Sequence, residues 1–181
     1  MQNFYKTYYK NILCEDLILK ESIANVFAIP SISTITISHS SGQIAKNPQF
    51  AIPGLASLEL IAGQKSQITK TKKSISQFQT RTNQLIGCKV TLRKSQLFPF
   101  LEKFTFFILP RMNTLYDGTP LKSVYNFGMD QLLIFPELEN YYESFDFLKG
   151  CHLHITTSAQ SKEACHLLLT GFKILPNNTE F

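Results

Sequence analysis

The residues most able to do chemistry in this sequence are cations gathered in one acid-free stretch. Between Leu60 and Leu101 the chain carries eight of its 18 Lys and Arg residues and no Asp or Glu. Ser, Thr, Gln and Asn surround these cations, and only Ile75 and Phe78 interrupt the most basic part. Cations beside small polar donors suit contacts with phosphates and ribose hydroxyls, whereas a membrane-surface helix carries more bulky apolar residues. The stretch favours a nucleic-acid surface over a membrane-surface or merely solvated one.

A second segment has the opposite charge. From Met112 to Leu148 there are six acids and one base, Lys122. A protein with one basic and one acidic sector can bind two partners of opposite sign, although surface composition alone also produces such segregation. The acids expected to face a protein partner rather than a nucleic acid are Glu137, Glu139, Glu143 and Asp146.

Patterns typical of enzymes and metal sites are weak in this sequence. His152 and His154 would share one face of a strand, but a zinc site needs further ligands that the sequence does not supply. The Gly-x4-Gly-Lys phosphate loop and the Gly-x-Ser-x-Gly motif are both missing from the chain. The clustered glutamates favour a solvated or partner-facing surface over an acid/base pair. We therefore expect no catalytic residue, no metal and no cofactor, and a small-molecule enzyme is only an alternative.

Length and composition fit one folded domain over residues 1–181, since 44% of the residues are hydrophobic and 17% charged. The four cysteines show no paired spacing, which predicts buried free thiols in a reducing compartment.

No apolar run reaches the roughly 20 residues that cross a bilayer, so we expect no membrane partner. The start resembles neither a signal nor a transit peptide. We therefore expect the protein to remain in the compartment of its synthesis, which is either a cytoplasm or an organelle that encodes it.

Hydrophobic periodicity predicts the helices that must position these residues. The first covers about residues 4–20, with an apolar stripe of Ile12, Leu13 and Leu17. A buried helix covers 47–62 and ends at Gly63. The third is capped by Ser95, and a short last helix covers 161–170. The apolar stripe of the third helix is Leu97, Leu101, Phe104 and Ile108.

Four segments predict strands, namely SISTITIS, GCKVTLRK, DQLLIFPE and CHLHITTS. Three of them alternate between an apolar face and a polar face, while DQLLIFPE is apolar on both faces and suits an inner strand. In GCKVTLRK the polar face presents Lys89, Thr91 and Arg93. We predict an α+β fold, with a mainly antiparallel sheet, helices packed on one face, and an open polar and basic face.

Several segments, in order along nearly the whole chain, resemble the family of the bacterial-type large-subunit ribosomal protein L-five. They are the opening YY helix, IPSISTITIS, GQKSQITKTKKSISQFQTR, LIGCKVTLR, FLEKF, LPR, QLLIFPELE and LKGCHLHITTSAQSKEACHLLL. The ending, with PELENYYESFDFLKG and LLLTGF, is most similar to members encoded in mitochondrial genomes. This resemblance implies the mitochondrial matrix as the location, with a bacterial cytoplasm as the alternative.

The resemblance implies an α+β, non-enzymatic protein of the central protuberance of the large ribosomal subunit. Its expected partners are 5S ribosomal RNA or its replacement, large-subunit ribosomal RNA and neighbouring large-subunit proteins. A loop between two strands is expected to touch the elbow of P-site tRNA, and the acidic side to contact a basic protein of the small-subunit head. A free-standing RNA-binding regulator is the alternative, because it would share the basic face.

Carried over by position, the family's polar RNA-recognition residues fall on Ser38, Gln64 and Thr91, and Lys89 and Arg93 supply phosphate contacts. The full set expected on the 5S ribosomal RNA face is Thr34, Ser38, Gln64, Lys65, Lys89, Thr91 and Arg93. The set expected in the loop that faces tRNA and ribosomal RNA is Lys70, Lys72, Lys73, Ser74, Gln77 and Arg81.

The chain departs from the family pattern in two places. Thr34 stands where Lys is common and Ser38 where Asn is common, which removes one charge and shortens one donor on the expected RNA face. Between Arg111 and Phe135 the family has a longer, Gly- and Arg-rich loop. Here the segment MNTLYDGTPLKSVYNFG is shorter and less basic, so we expect different contacts across the subunit interface.

Overall fold

The computed structural model describes residues 3–112, 120–121 and 123–175. Its strands are β1 (Ile32–Ser40), β2 (Gln67–Lys70), β3 (Leu85–Arg93), β4 (Pro120–Leu121), β5 (Val124–Gln131) and β6 (Lys149–Thr157). They form one sheet in the order β2-β3-β1-β6-β5-β4. The predicted α+β fold with an antiparallel sheet is confirmed. The shortened segment 112–128 lies partly outside the described residues.

The helices follow the predicted positions in most cases. They are α1 (Phe4–Tyr8), α2 (Cys14–Glu21), α3 (Gly42–Lys46), α4 (Ala51–Ala62), α5 (Leu97–Lys103), α6 (Pro136–Glu139), α7 (Tyr142–Phe145) and α8 (Lys162–Gly171). A π-helical turn over Tyr9–Leu13 joins α1 to α2, and another over Phe104–Ile108 extends α5.

The chain divides into two compact units. The first comprises residues 1–35, 92–127 and 154–181, and the second comprises 36–91 and 128–153. All the binding residues predicted from the sequence belong to the second unit except Thr34 and Arg93. That both units act as one ribosomal-protein domain stays a prediction.

The strand alternation predicted from the sequence is confirmed. Ile35 and Ile37 are buried in β1 while Ser38 is half-buried, and in β3 Val90 is buried while Lys89 is exposed. β6 repeats the pattern, because Cys151, Leu153 and Ile155 are buried and the alternate residues are less buried, although the buried face ends with a polar residue, Thr157. One face of each strand therefore supplies the core, and the other is left for water or a ligand.

The helix predictions hold with two corrections. The whole stripe of the third predicted helix is buried, but Ser95 does not cap it, because a 3-10 turn over Lys94–Gln96 comes first and makes Gln96 the N-cap. Ile12 is 50% exposed and does not join Leu13 and Leu17 in the core, since the π-helical turn changes the spacing of the stripe at this point.

The prediction of an inner strand over DQLLIFPE is wrong. β5 ends at Gln131, and a 3-10 turn over Leu132–Ile134 leads into α6 at Pro136. The buried residues of this segment are Leu132, Phe135 and Leu138. A spacing of three places them on one side of a helical turn, which a short apolar run does not distinguish from a strand.

Three of the four cysteines, Cys88, Cys151 and Cys165, are buried free thiols, and Cys14 is half-buried. Burial raises the pKa of Cys88 to about 11 and that of Cys151 to about 12, so both remain protonated at neutral pH. Among the described residues, no helix has both the length and the apolar character needed to span a membrane.

Candidate nucleic-acid interface

The polar face of β2 and β3 carries the strand part of the basic stretch. The two strands pair antiparallel, with Gln67 opposite Lys89, and both side chains are exposed. Thr91 lies two residues further along β3 and is half-buried. Sequence reasoning missed Gln67, because β2 has only four residues and its role depends on its register with β3. A cation and an amide therefore stand side by side on this face.

Gln64 reaches the sheet because α4 ends just before it. Gly63 has a φ of +66°, and its N–H donates to the Glu59 carbonyl oxygen at 2.9 Å, which closes the helix. Gln64 Nε2 then donates to the Thr91 carbonyl oxygen at 2.7 Å. One amide hydrogen and the amide oxygen have capacity for further bonds. The structure thus brings Gln64 beside Thr91, as expected; that either residue binds RNA stays a prediction.

Glu59, which sequence reasoning overlooked, holds the turn that carries Gln64 and Lys65. It is the only acid between Ser22 and Glu102. Its Oε1 accepts hydrogen bonds from the Ser66 backbone N–H and the Ser66 hydroxyl, both at 3.0 Å. These bonds, led by the backbone one, lower the pKa of Glu59. The carboxylate therefore stabilises the local backbone, a role that depends on the turn after α4 and that no local sequence pattern indicates.

The Ser38 hydroxyl does not have the role of a free donor that the sequence predicts. Its hydroxyl donates to the His152 carbonyl oxygen at 3.4 Å, so its hydrogen is used within the sheet and its lone pairs are what a ligand would meet. Thr34 is half-buried and Arg93 is exposed, and both belong to the first compact unit. The second unit thus brings together Ser38, Gln64, Lys65, Lys89 and Thr91.

Gly87 lets β3 lie very close to β1. A Cβ built on Gly87 would stand 2.2 Å from the His39 carbonyl oxygen and 2.9 Å from the Ser40 Cα. Real side chains do not tolerate such distances to backbone atoms, so this approach requires glycine. The residue fixes the separation of the two strands that carry Ser38 and Lys89.

The chain between β2 and β3 is a hydrogen-bonded hairpin, which we call the basic hairpin (residues 71–84). At its base the Thr71 N–H donates to the Gln84 carbonyl oxygen at 3.0 Å. Near its tip Ile75 and Thr80 exchange two backbone hydrogen bonds of 3.2 Å. The predicted contact residues at 72, 73, 74, 77 and 81 are exposed, as is Lys70 just before the hairpin. The mobility expected for Ser74–Gln84 stays a prediction.

The predicted acidic contact surface lies on α6 and α7. Glu139, Glu143 and Asp146 are exposed, and Glu137 is half-buried. The Tyr142 side chain is hydrogen-bonded to Asp146. This bond and the negative charge of the Asp146 carboxylate raise the pKa of Tyr142. The exposed carboxylates stand on and beside two four-residue helices.

The two histidines considered as metal ligands have separate surroundings. His154 Nδ1 lies 2.6 Å from Asn126 Oδ1 in the first unit, while His152 belongs to the second unit and is exposed. Within residues 3–112, 120–121 and 123–175, no group of three or more His, Cys, Asp or Glu side chains is arranged to hold a metal ion.

Comparison with known proteins gives a consistent result over nearly the whole chain. The family model described as "Ribosomal protein L5" matches residues 25–81, and the model of the C-terminus of the same ribosomal protein family matches residues 85–175. Large ribosomal subunit protein uL5 of Blochmanniella floridana is 36% identical over 179 residues, covering 96% of this chain and 93% of the relative. The uL5m protein of Reclinomonas americana is 35% identical, covering 95% and 97%. The uL5c protein of Gracilaria tenuistipitata var. liui is 36% identical, covering 95% and 97%.

Proposed function

The chain belongs to the uL5 family of large-subunit ribosomal proteins, and on that premise we propose that its polar sheet face binds 5S ribosomal RNA. Family membership makes the chain a structural, non-enzymatic constituent of the large ribosomal subunit, where ribosomal RNA and neighbouring large-subunit proteins are its partners. Family membership therefore favours a ribosomal constituent over the two alternatives, a free-standing RNA-binding regulator and a small-molecule enzyme.

The contact between Gln64 and Thr91 is the observation that carries the proposal. The Gln64 side chain is anchored to β3 by the 2.7 Å hydrogen bond, so it is held in place before any ligand arrives. Preorganised polar groups lose less conformational entropy on binding. The bond also stabilises the fold, but it leaves one amide hydrogen and the amide oxygen of Gln64 for a ligand.

Two kinds of contact follow from the side chains on this face. Lys65 and Lys89, both exposed, would neutralise phosphates and supply affinity without sequence preference. Gln64, Ser38 and Thr91 would read ribose hydroxyls and base edges. Arg93 at the end of β3 would add a further phosphate contact. The cations would set the strength of binding, and the amide and hydroxyls its selectivity.

The basic hairpin is proposed to contact P-site tRNA and ribosomal RNA. It exposes Lys72, Lys73 and Arg81, and it contains no acid. The Gln77 amide can donate to phosphate oxygens, whereas the Ser74 hydroxyl hydrogen is already donated to the Thr80 carbonyl oxygen. We propose that it reaches the tRNA elbow while the sheet face remains on 5S ribosomal RNA.

The acidic surface on α6 and α7 is proposed to meet a basic protein of the small-subunit head. Exposed carboxylates repel RNA phosphates and attract Lys and Arg of a protein partner. The similarity of the segment PELENYYESFDFLKG to mitochondrially encoded members supports the mitochondrial matrix as the location, with a bacterial cytoplasm as the alternative. Immunodetection in mitochondrial large subunits, with none in other ribosomes, would establish this compartment.

The experiment for the main proposal uses the purified protein and a sucrose gradient of ribosomes from the same cells. We expect the protein to sediment with large subunits and, when purified, to bind 5S ribosomal RNA, or the RNA that replaces it, in a filter assay. An unrelated structured RNA of equal length is the control. Equal affinity for the two RNAs would contradict 5S recognition, even if the protein is found in the large subunit.

A further inference from the structure

A groove lies beside the basic hairpin and outside the proposed sheet face. It encloses about 370 Å³, which is within the range of small-ligand sites. Its lining combines one aromatic ring with polar groups and a cation, including Ser40, Ser41, Lys46, Phe78, Thr80 and Ile86. All of these residues belong to the second compact unit.

The tip of the hairpin holds Phe78 in an open position. The ring is 70% exposed, and its residue is the last of the 3-10 turn that begins at Ser76. The two backbone hydrogen bonds between Ile75 and Thr80, and a bond of 3.0 Å from the Ser74 hydroxyl to the Thr80 carbonyl oxygen, close the tip. The ring therefore stands on a hydrogen-bonded backbone with its surface available for contact.

Gln84 joins the two walls of the groove. Its Nε2 donates to the Ala45 carbonyl oxygen at 2.5 Å, and its Oε1 accepts from the Arg81 N–H at 2.9 Å. Its own N–H donates to Thr71 Oγ1 at 3.0 Å. One side chain thus ties the base of the hairpin to α3, so the groove is formed before a ligand binds.

The charge around the groove selects an anionic partner. Lys46 is exposed at its rim, and none of the residues that line the groove is acidic. Unpaired bases stack on exposed aromatic rings in RNA recognition, with cations nearby for the phosphates. An apolar peptide would leave Ser40, Ser41 and Lys46 without suitable partners.

We propose that this groove binds a single unpaired nucleotide of RNA, with the base stacked on Phe78 and its phosphate beside Lys46. The proposal rests on the RNA-binding function proposed above, and it adds a site that is separate from the polar face of β2 and β3. Two RNAs can supply the nucleotide, namely 5S ribosomal RNA and tRNA.

The chain contains no Trp, so a single Phe78→Trp substitution creates a unique fluorescent reporter at the groove. Base stacking quenches indole fluorescence. The Phe78→Trp protein is titrated separately with 5S ribosomal RNA and with tRNA. We expect the RNA that supplies the nucleotide to quench the tryptophan emission at saturation. The matched control is Phe27→Trp, because Phe27 is 98% exposed and belongs to the first unit; its emission should stay nearly unchanged.

Affinity gives a second measurement that does not depend on a reporter. Phe78→Leu removes the ring and should weaken RNA binding about 5- to 150-fold, the range for one lost stacking contact, with the salt dependence unchanged. Lys46→Gln should lower the slope of log affinity against log salt by about one. Phe27→Leu, as control, should bind like wild type.

Each outcome separates this inference from the function on which it rests. If quenching occurs with 5S ribosomal RNA alone, or with tRNA alone, that RNA supplies the nucleotide. If wild-type protein binds RNA but the Phe78→Trp emission does not change and Phe78→Leu binds normally, the groove proposal is wrong while the sheet-face proposal stands. If wild-type protein binds neither RNA, both proposals fall.

Discussion

The second compact unit contains two regions of opposite charge. Residues 36–91 carry seven cations and one acid, whereas residues 128–153 carry five acids and one cation, Lys149. The basic region carries Lys70 and Lys89 on strands β2 and β3, and the basic hairpin that joins these strands carries three more of its cations. The acidic region presents exposed carboxylates on and beside two four-residue helices. This difference in charge and in supporting elements is the basis for proposing two partners of different chemistry.

Glu59, the one acid in the basic region, has a structural role. Glu59 accepts two hydrogen bonds from Ser66, so its charge serves the turn after α4. Because the two regions are proposed to bind different partners, substitutions that reverse charge in one region should leave the function of the other intact.

The largest effect is expected from glycines that occupy strands in the two regions. Gly87→Val in the basic region would place side-chain atoms within 2.2 Å of a β1 carbonyl oxygen, and should lower the free energy of unfolding by about 3 kcal/mol or more. Gly128→Ala in the acidic region meets only ordinary contact, 3.8 Å from His152 Nδ1, and should change it by less than about 0.5 kcal/mol. Urea unfolding measures both, and equal losses would refute the close approach of β1 and β3.

Charge reversal of the acidic surface should have the next largest effect. Changing Glu139, Glu143 and Asp146 together to Lys places like charges against a basic small-subunit protein, which costs several kcal/mol, so subunit joining should weaken by about a hundredfold or more. Incorporation into large subunits should stay normal, as sucrose gradients would show. Failure of the changed protein to enter large subunits would contradict the assignment of a protein partner. The matched control is Lys72→Glu with Lys73→Glu, which should leave joining intact.

A smaller effect is expected from shortening the basic hairpin. Replacing residues 74–81 by an Asn-Gly turn, which favours a tight hairpin, should leave assembly intact and weaken tRNA retention by about tenfold, because the proposed charged hydrogen bond from Arg81 to a phosphate is lost. Filter retention of P-site tRNA on purified ribosomes measures this.

Hydrogen exchange tests the mobility of the same hairpin in the free protein. Ser74–Gln84 should exchange faster than Cys88–Arg93, because its backbone bonds lie near solvent. Equal protection in the two segments would show that the hairpin is as rigid as the strand.

The smallest effect concerns a histidine on β1, within the basic region. His39 is buried, and its Nδ1 lies 2.6 Å from the Gly150 carbonyl oxygen, so Nδ1 carries the proton that is donated. Its Nε2 is buried and has no hydrogen-bond partner among the residues that the structure describes, and burial lowers the pKa of His39. The unfolded chain therefore binds the proton more readily, and stability should fall as the pH drops below about 6.5.

Urea unfolding at several pH values between about 7.5 and about 5.5 tests this contribution around the ordinary histidine pKa. His39→Gln should lose part of the wild-type decrease at low pH, while the exposed His152→Gln should retain it. An identical pH dependence in wild type and His39→Gln would exclude His39 as the source.

The sequence predicts the strands better than it predicts the site. β1, β3 and β6 alternate strictly, so their faces follow from a period of two. Lys89 and Thr91 were therefore placed correctly on one face, whereas DQLLIFPE lacks alternation and its turn was missed. The anchor at Gln64, the opposition of Gln67 to Lys89 and the carboxylate of Glu59 depend on a helix end and a strand register. No local pattern encodes these tertiary relations, and only the structure reveals them.

The central claim is that the face bearing Lys89 and Thr91 reads 5S ribosomal RNA, and a salt series of RNA binding tests it most directly. Lys89→Gln should lower the slope of log affinity against log salt by about one. Thr91→Val keeps the side-chain shape, and should cost about 1–3 kcal/mol of binding with the slope unchanged. The exposed control Thr7→Val should match wild type. Wild-type affinity for 5S ribosomal RNA in the Thr91→Val protein would contradict the claim.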